Sequence, residues 1–331
     1  MRVFKTLLSA GIAAGLIAAF AGGVAVAADA PLKIIYVSHS DSGNAFWLTV
    51  KKGMDDACAL IKADCQMLFD AKAGDIQSQV ANIQSAMAQS PDMIITSIPD
   101  DHALDAVIKE AVDSGIAVIA SNVDDTEGAK GNARLAFVGQ DFELAGRALG
   151  DAVATKFPAS GPIHVLVGVN APADNWSRTR ANGVKHALAD WAKAHPDRPV
   201  KVDEIDAGLD YGTAGDRFGS FLTGAPDLTA YFDTGFWDVG VAAALKDRGV
   251  APGKILVGGF DLVPDVLAQM KAGYIQFHVD QQPYLQGYVP VIQAPLIKKY
   301  KMAAFDVNTG SAVVGKDQVN AIEQLSKDGY R

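Results

Sequence analysis

Polar and aromatic side chains recur directly after the predicted β-strands of this chain, and their types suit recognition of a hydroxylated ring. Hydroxyl groups need paired hydrogen-bond donors and acceptors, whereas the C–H faces of a sugar ring pack on aromatic rings. Arg180 and Asp261 each offer two hydrogen bonds of fixed geometry, which suits adjacent hydroxyls. The sequence therefore predicts a site for a sugar or polyol. The candidate residues are Asn44, Phe46, Trp47, Asn122, Asp141, Trp176, Arg180, Thr234, Trp237, Asp261 and Gln281.

Each candidate also has a purely structural interpretation. Asn122 is a common turn residue, and Asn44 is suited to cap the first helix. The aromatic residues Phe46 and Trp47 are compatible with a core position on the first helical turn. Asp261 can cap a following helix, and an arginine can pair with a surface carboxylate. The binding hypothesis rests on the recurrence of such residues at one edge of both halves of the chain.

The sequence carries no recognisable enzyme motif. It has no G-x-S-x-G elbow, no H-E-x-x-H, no P-loop and no G-x-G-x-x-G after a strand. His39 ends the first predicted strand and is a further candidate to line a cleft. A hydrolase is the alternative, because Asp261 with Asp141 or Asp124 supplies the two carboxylates of glycosidase chemistry. The sequence favours a binding protein with no cofactor and no metal.

Apolar strands alternate with amphipathic helices in the first half of the chain. Such near-continuous apolar strands predict a parallel sheet covered on both faces. The predicted strands are 33–39, 65–70, 92–98 and 115–121, and the predicted helices are 45–62, 76–89 and 103–114.

The alternation then restarts, which predicts a second doubly wound lobe of similar size. Because open α/β sheets bind ligands beyond the carboxyl ends of their strands, the expected site is the cleft between the lobes. The predicted strands are 133–139, 163–169, 200–206, 228–234, 254–260 and 274–280, and the predicted helices are 142–157, 178–194, 213–223, 239–248 and 264–272.

The N-terminal thirty residues have the pattern of a secretory signal peptide. Arg2 and Lys5 precede an apolar run over residues 7–26, and AVAADA follows with small residues suited to cleavage after Ala27. A membrane anchor is the alternative, since the run approaches the ~20 residues that span a bilayer. Its glycines and the cleavage site favour the signal peptide, and no cysteine follows for lipid attachment. The mature chain is expected to be exported and soluble.

Composition and charge narrow the class of partner. The chain is 49% hydrophobic and 20% charged, which is ordinary for a globular protein and excludes disorder. The roughly 300 residues after the cleavage site fit two domains. The formal charge is −9, and removal of Arg2 and Lys5 leaves 27 basic and 38 acidic residues, or −11. An acidic surface repels phosphate backbones, so nucleic acid is not expected as a partner.

Cys58 and Cys65 are the two cysteines of the chain. The first is predicted late on a helix and the second at the start of the next strand. Export to an oxidising compartment favours a disulfide between them over two buried free thiols. A metal site needs more ligands than this pair offers.

Six segments occur in the order typical of one family: NAFW at 44–47, IPDDHALDAVIKEAVDSGIAVI at 98–119, FVGQDFELAGRALGDAV at 137–153, RTRANGV at 178–184, GGFD at 258–261 and VDQQPYLQG at 279–287. On these segments the chain, from about Lys33 to Val314, resembles the periplasmic sugar-binding proteins of ABC transporters, in particular the ribose-binding type.

The resemblance implies an α/β fold of two doubly wound parallel-sheet lobes joined by a three-segment hinge, the type I periplasmic binding protein fold. The chain would cross between lobes near Gly139, Gln281 and Thr309. After a signal peptide at 1–27, the implied lobes are 31–139 with 282–308, and 140–281 with 309–331.

The resemblance also implies roles for the candidate residues. Asn44, Arg180, Asp261 and Gln281 would bond hydroxyls, while Phe46 and Trp47 stack on the ring. Trp176 and Trp237 are expected to complete the sandwich from the other lobe.

Two departures from the ribose-binding type change the expected ligand. Asn122-Val123 stands where that type has Asp-Arg, and Thr234 stands where it has Asn. Phe236 and Trp237 add bulk nearby. Ribose itself is therefore not expected, and another pentose, a hexose, a polyol or a sugar-like signalling molecule remains open.

The resemblance implies a monomer in the periplasm that delivers its ligand to a membrane ABC permease. A chemoreceptor is a further partner that the sequence leaves open. A sugar-responsive repressor shares the fold but needs a basic helix-turn-helix before the first lobe. The predicted signal peptide occupies that place, which argues against a repressor.

Overall fold

Two six-stranded sheets organise the chain in the computed structural model, which describes residues 30–331. The predicted signal peptide and its cleavage after Ala27 lie outside the described residues. The first half contains β1 Lys33–Val37, α1 Ala45–Ile61, β2 Asp64–Leu68, α2 Ile76–Ala88, β3 Met93–Thr96, α3 Asp105–Asp113, β4 Ala117–Asn122 and β5 Ala136–Gly139.

The rest of the chain continues the alternation and ends in short strands and a helix. Its elements are α4 Phe142–Ala154, β6 Ile163–Val169, α5 Asn175–Ala194, β7 Val200–Asp206, α6 Tyr211–Gly224, β8 Ala230–Asp233, α7 Asp238–Asp247, β9 Leu256–Phe260, α8 Pro264–Ala272, β10 Phe277–Asp280, α9 Pro283–Lys298, β11 Val307–Asn308, β12 Ala312–Gly315 and α10 Val319–Lys327.

The strand order confirms two doubly wound sheets. The first sheet runs β11-β5-β4-β3-β1-β2, and the second runs β12-β10-β9-β8-β6-β7. Every strand pair in the first sheet is parallel. The second is parallel except where β12 pairs antiparallel with β10. Residues 31–331 form one compact unit that contains both sheets.

Burial follows the position of each strand in its sheet. All residues of β3, β4 and β6 are buried, as expected for inner parallel strands covered by helices on both faces. The outer strand β7, with sequence VKVDEID, is largely exposed or half-buried. The apolar runs in the sequence therefore mark the inner strands.

The chain passes between the sheets more than once. It leaves the first sheet after β5 and enters the second at β6. After β10, helix α9 packs along α1 of the first half. Strand β11 then joins the first sheet and β12 the second. These passages fall at the three expected crossings, while the exact lobe boundaries stay a prediction.

Several boundaries, by two or three residues, and four elements differ from the sequence expectations. Helix α5 begins at Asn175 rather than 178, after an N-cap residue, Asp174, that makes no side-chain capping hydrogen bond. Strands β9 and β10 begin two and three residues later than predicted, at Leu256 and Phe277. Helix α9 was not predicted, since Pro290 and Pro295 inside it interrupt the helical pattern. The short elements β11, β12 and α10 were also not predicted.

Cys58 and Cys65 form a disulfide with their Cα atoms 6.3 Å apart, so the sequence prediction is confirmed. The bridge joins the end of α1 to the start of β2. Among residues 30–331, no helix combines the length and apolar character that a membrane crossing requires.

Candidate ligand-binding site

A cavity lies at the carboxyl ends of strands from both sheets, where open α/β sheets bind ligands. The end of β4 and the segments after β1, β8, β9 and β10 reach it, together with the first turns of α1 and α4 and the first two turns of α5. The cavity has a volume of about 370 Å³, including space that is open to solvent. The lining residues are His39, Asn44, Phe46, Trp47, Asn122, Phe142, Trp176, Arg180, Gly235, Phe236, Trp237, Asp261 and Gln281.

The structure brings nine of the eleven candidate residues to this cavity. They come from segments far apart in the sequence, so their convergence depends on the fold. The nine are Asn44, Phe46, Trp47, Asn122, Trp176, Arg180, Trp237, Asp261 and Gln281.

Asp141 and Thr234 do not line the cavity. Asp141 is exposed and caps α4, where its Oδ1 accepts a hydrogen bond of 3.0 Å from the Leu144 amide. Thr234 is buried, and its hydroxyl lies 2.7 Å from Ser177 Oγ and 2.8 Å from Asn170 Oδ1. Local capping and a buried hydroxyl network therefore account for the two side chains.

Arg180 is 3% exposed and is held between rings and hydrogen-bond acceptors. Its guanidinium carbon lies 4.2 Å from the ring centre of Phe260 and 4.6 Å from that of Phe142. One terminal nitrogen donates to the Thr234 carbonyl at 2.9 Å, and the other to Gln140 Oε1 at 3.2 Å. Its Nε has no hydrogen-bond partner among the described residues.

Burial lowers the pKa of Arg180 to about 10, while the charges of Asp261 and Asp233 act in the opposite direction. The guanidinium therefore stays charged at neutral pH. A buried cation with an unpaired N–H group is a strong site for an oxygen acceptor.

The close packing of α4 and α5 sets the position of Arg180. A Cβ atom on Gly146 of α4 would lie 2.3 Å from the Arg180 carbonyl oxygen, and one on Gly183 of α5 would lie 2.4 Å from the Glu143 carbonyl oxygen. Neither helix can carry a larger residue at these positions without moving apart. The two glycines therefore fix how deeply Arg180 enters the cavity.

Asp261 and Asn122 line the cavity from residues with left-handed backbones, with φ of +72° and +70°. Gln281 Nε2 donates to Asp261 Oδ1 at 2.7 Å, and Asn122 Nδ2 donates to Gln281 Oε1 at 3.3 Å. Burial raises the pKa of Asp261, and the Arg180 charge and the Gln281 hydrogen bond oppose that rise. Asp261 does not cap α8, whose N-cap is Val263.

The wall after β1 is neutral and partly aromatic. Asn44 caps α1, its Oδ1 accepting from the Phe46 amide at 3.0 Å, and it also lines the cavity. The rings of Phe46 and His39 each meet Trp47 edge to face, with centres 5.4 and 5.1 Å away. Burial lowers the pKa of His39 to about 4, so this ring is uncharged at neutral pH.

Aromatic rings also line the side contributed by the second sheet. Phe236 and Trp237 are stacked, with centres 4.6 Å apart and planes 19° apart. Trp176 lies 6.4 Å from Trp237, and its Nε1 donates to Asp174 Oδ2 at 2.9 Å. Rings from both sheets therefore face one space, as a sugar or cyclitol ring requires.

Like Gly235, Phe142 is a lining residue that the sequence did not single out. It is the first residue of α4, directly after Asp141. A signal was present, because the aromatic pair of the first helix, Phe46 and Trp47, occupies a similar place. The sequence analysis selected the capping residue Asp141, which comes one residue before the side chain that lines the cavity.

The site offers hydrogen bonds and ring contacts. Arg180 and Asp261 are its charged groups, and its other polar side chains are His39, Asn44, Asn122 and Gln281. Within residues 30–331, no three His, Cys, Asp or Glu side chains are grouped to hold a metal ion.

Comparison with known proteins agrees with this architecture. The chain is 25% identical over 359 aligned positions to a xylose/arabinose-binding protein of Sulfolobus acidocaldarius, covering 96% of this chain and 86% of that protein. A periplasmic sugar-binding protein of an ABC transporter from Legionella pneumophila superposes with a TM-score of 0.77 and 27% identity, covering 84% of this chain and 99% of that one.

A carbohydrate transporter protein of Acidothermus cellulolyticus, solved with myo-inositol, also gives a TM-score of 0.77 and 27% identity, covering 91% of this chain and all (100%) of that one. Fold and cavity thus define a two-lobed α/β binding protein of type I. The chain belongs to the periplasmic binding protein family, whose domain it matches over residues 35–297.

Proposed function

We propose that this protein captures a neutral monosaccharide or cyclic polyol in the cavity and delivers it to the permease of an ABC transporter. The relatives named above support the ligand class, since they bind xylose or arabinose, sugars, and myo-inositol. The signal-peptide pattern of residues 1–27 supports a periplasmic location for the mature chain.

The Nε atom of Arg180, which has no hydrogen-bond partner within residues 30–331, carries the proposal. Native proteins rarely leave a buried donor without a partner, and such a donor in a cavity calls for an acceptor on a ligand. A ligand hydroxyl can accept from Arg180 and donate to the buried carboxylate of Asp261. The opposing charges make a neutral ligand with adjacent hydroxyls the best match.

Capture requires no bond to be made or broken. The family consists of binding proteins, and the cavity polar groups are suited to hold hydroxyls. Ligand contacts from both sheets would favour the closed arrangement of two hinged lobes through a shift in population. In this account 31–139 with 282–308 move against 140–281 with 309–331.

The test is calorimetry of the mature protein against D-xylose, L-arabinose, D-ribose, D-allose, D-glucose and myo-inositol. We expect at least one of these to bind with a micromolar or tighter dissociation constant. Arg180→Ala should weaken that binding by about 100-fold or more, because a hydrogen bond to a buried charge is lost.

Arg178→Ala is the matched control on the same helix. Arg178 is exposed and donates to the Pro172 carbonyl at 2.7 Å, outside the cavity. Its removal should leave affinity unchanged. Equal affinity of the Arg180→Ala variant and the wild type, or turnover of a glycoside, would refute the proposal.

A further inference from the structure

His278 is a fully buried residue of β10 whose two ring nitrogens both contact oxygen atoms. Nδ1 lies 2.7 Å from the backbone carbonyl oxygen of Asp261, and Nε2 lies 2.8 Å from Oδ2 of Asp238. Because a carbonyl oxygen only accepts hydrogen bonds, Nδ1 carries a proton. His278 therefore joins two separate segments below the cavity.

The carboxylate of Asp238 favours a ring that is protonated on both nitrogens. Burial alone acts to lower the pKa of His278, but the charge and hydrogen bond of Asp238 outweigh it and raise the pKa. Both partners are fully buried. An imidazolium donates both hydrogen bonds at once, so it can hold both segments together.

The first of these segments is the turn that presents Asp261. Its backbone φ of +72° is in the left-handed region, which is unusual for a residue with a side chain. The Asp261 amide donates to the Val279 carbonyl at 2.9 Å, and its own carbonyl accepts from His278. Both sides of the residue are thus tied to β10 while its carboxylate lines the cavity.

The second segment carries an aromatic wall of the cavity. Asp238 is the first residue of α7 and directly follows Trp237, which lines the cavity beside Phe236. The His278 hydrogen bond to Asp238 fixes the start of this helix against β10. The imidazole of His278 thus contacts both the residue that presents a carboxylate to the cavity and the start of the helix that follows Trp237.

The neighbouring strand leaves room for this contact. A Cβ atom on Gly259 of β9 would lie 2.9 Å from both Asp238 Oδ2 and His278 Nε2. A glycine is therefore needed next to the ion pair. One strand glycine is thus matched to the polar contact between His278 and Asp238.

We infer that His278 is a positioning residue for ligand binding: its Nδ1 hydrogen bond to the Asp261 carbonyl holds the Asp261 carboxylate in place for the ligand, while its contact with Asp238 orients the imidazole. The inference rests on the proposed function of the cavity and extends it to a residue that does not touch the ligand.

Two substitutions separate the two hydrogen bonds of His278. An asparagine amide reaches about as far as Nδ1 and can still donate to the Asp261 carbonyl, whereas a glutamine amide reaches about as far as Nε2 and Asp238. Both remove the imidazolium, so their effects on melting temperature should be similar. We expect His278→Asn to bind D-xylose, D-allose or myo-inositol, whichever binds the wild type, within about three-fold of the wild type. His278→Gln should bind at least about ten-fold more weakly.

Hydrogen exchange gives a readout that needs no ligand. In the free protein, the backbone amides of residues 261–263 should exchange faster in His278→Gln than in the wild type, and His278→Asn should stay close to the wild type. Equal exchange in all three proteins, or equal affinity of the two variants, would overturn the inference. A wild type that binds no sugar while exchange follows the expected order would refute only the proposed function.

The wild-type protein offers a check that does not depend on any variant. Nitrogen-resolved NMR of the histidine rings should show a slowly exchanging proton on Nδ1 of His278. A ring with a bare Nδ1 cannot donate to the Asp261 carbonyl, and that result would overturn the inference.

Discussion

Arg180 and Asp261 are placed so that a ligand can complete their hydrogen bonding. Burial of an ion costs free energy unless partners compensate it. The guanidinium gains two acceptors and two close ring contacts, and the carboxylate gains the Gln281 amide. The Nε atom of Arg180 is left without a hydrogen-bond partner in the described part of the chain. A ligand hydroxyl would supply what the protein itself does not.

Asp70 is a further residue whose burial has a measurable consequence. It is 4% exposed, and Asn82 Nδ2 donates to its Oδ1 at 2.9 Å. Burial raises the pKa of Asp70 from 3.8 to about 7, with hydrogen bonds from Asn82 and Ser78 acting in the opposite direction. Between these pH values the folded state binds more protons than the unfolded state. Stability is therefore lost as pH rises through this window.

Asp70→Asn should remove the loss of stability that occurs as pH rises from 3.8 to about 7. We expect the free energy of unfolding at pH 8 to increase by on the order of 2 kcal/mol, with little change at pH 4. Denaturant titrations at pH 4, 6 and 8 measure the difference. Asp113→Asn, which alters an exposed carboxylate paired with Lys109, should change little at any pH. A pH-independent effect of the Asp70 substitution would contradict the assignment.

At the scale of elements, the first turn of α5 connects the sides of the two sheets. Asn175 Nδ2 donates to the Ile98 carbonyl at 3.1 Å, to Asp101 Oδ1 at 3.0 Å and to the Asp124 carbonyl at 2.9 Å. The acceptors lie in the loops after β3 and β4. The same turn carries Trp176 into the cavity. These contacts hold the two sides together without a ligand.

Asn175→Ala should therefore favour an open form. Loss of hydrogen bonds worth about 1 kcal/mol each should lower the apparent affinity for every ligand by a common factor of roughly ten or more. Small-angle scattering of the ligand-free variant should give a larger radius of gyration. Asn182→Ala, at an exposed position of the same helix, is the control. A change in ligand preference instead of a common factor would argue against this role.

The disulfide between Cys58 and Cys65 stabilises the junction of α1 and β2. The loop is short, so the entropy model predicts that its loss costs about 2 kcal/mol. Replacing both cysteines by alanine should lower the free energy of unfolding by that amount and leave affinity unchanged. Wild type treated with reductant serves as the comparison. Unchanged stability in both would show that the bridge contributes nothing.

Sequence patterns predicted the order of the elements but not every side chain of the site. Apolar runs and helical spacing predicted the alternating elements, and polar strand ends predicted most of the lining residues. They did not decide between Asp141 and Phe142, because which side chain of a first turn faces the cavity depends on how α4 packs against α5. Thr234 was expected to offer its side chain, whereas its carbonyl contacts Arg180. The type of a residue does not indicate whether its backbone carbonyl will accept a hydrogen bond in the site.

At the scale of the whole molecule, two similar sheets meet around one cavity, and their linking segments lie together. Long-range packing also explains helix α9, which returns from the second sheet to lie along α1. A Cβ atom on Gly287 of α9 would lie 1.9 Å from the Val50 carbonyl oxygen of α1. This close contact ties α9 to the first sheet, so the expected hinge lies at its N-terminal end.

A crystal structure of the mature protein with the sugar or polyol identified by calorimetry tests the central claim most directly. The account predicts one ligand ring between the aromatic residues of both sheets, with adjacent hydroxyls bonded to Arg180 Nε and the Asp261 carboxylate. A ligand bound elsewhere, with Arg180 and Asp261 unchanged and the cavity empty of it, would contradict the account.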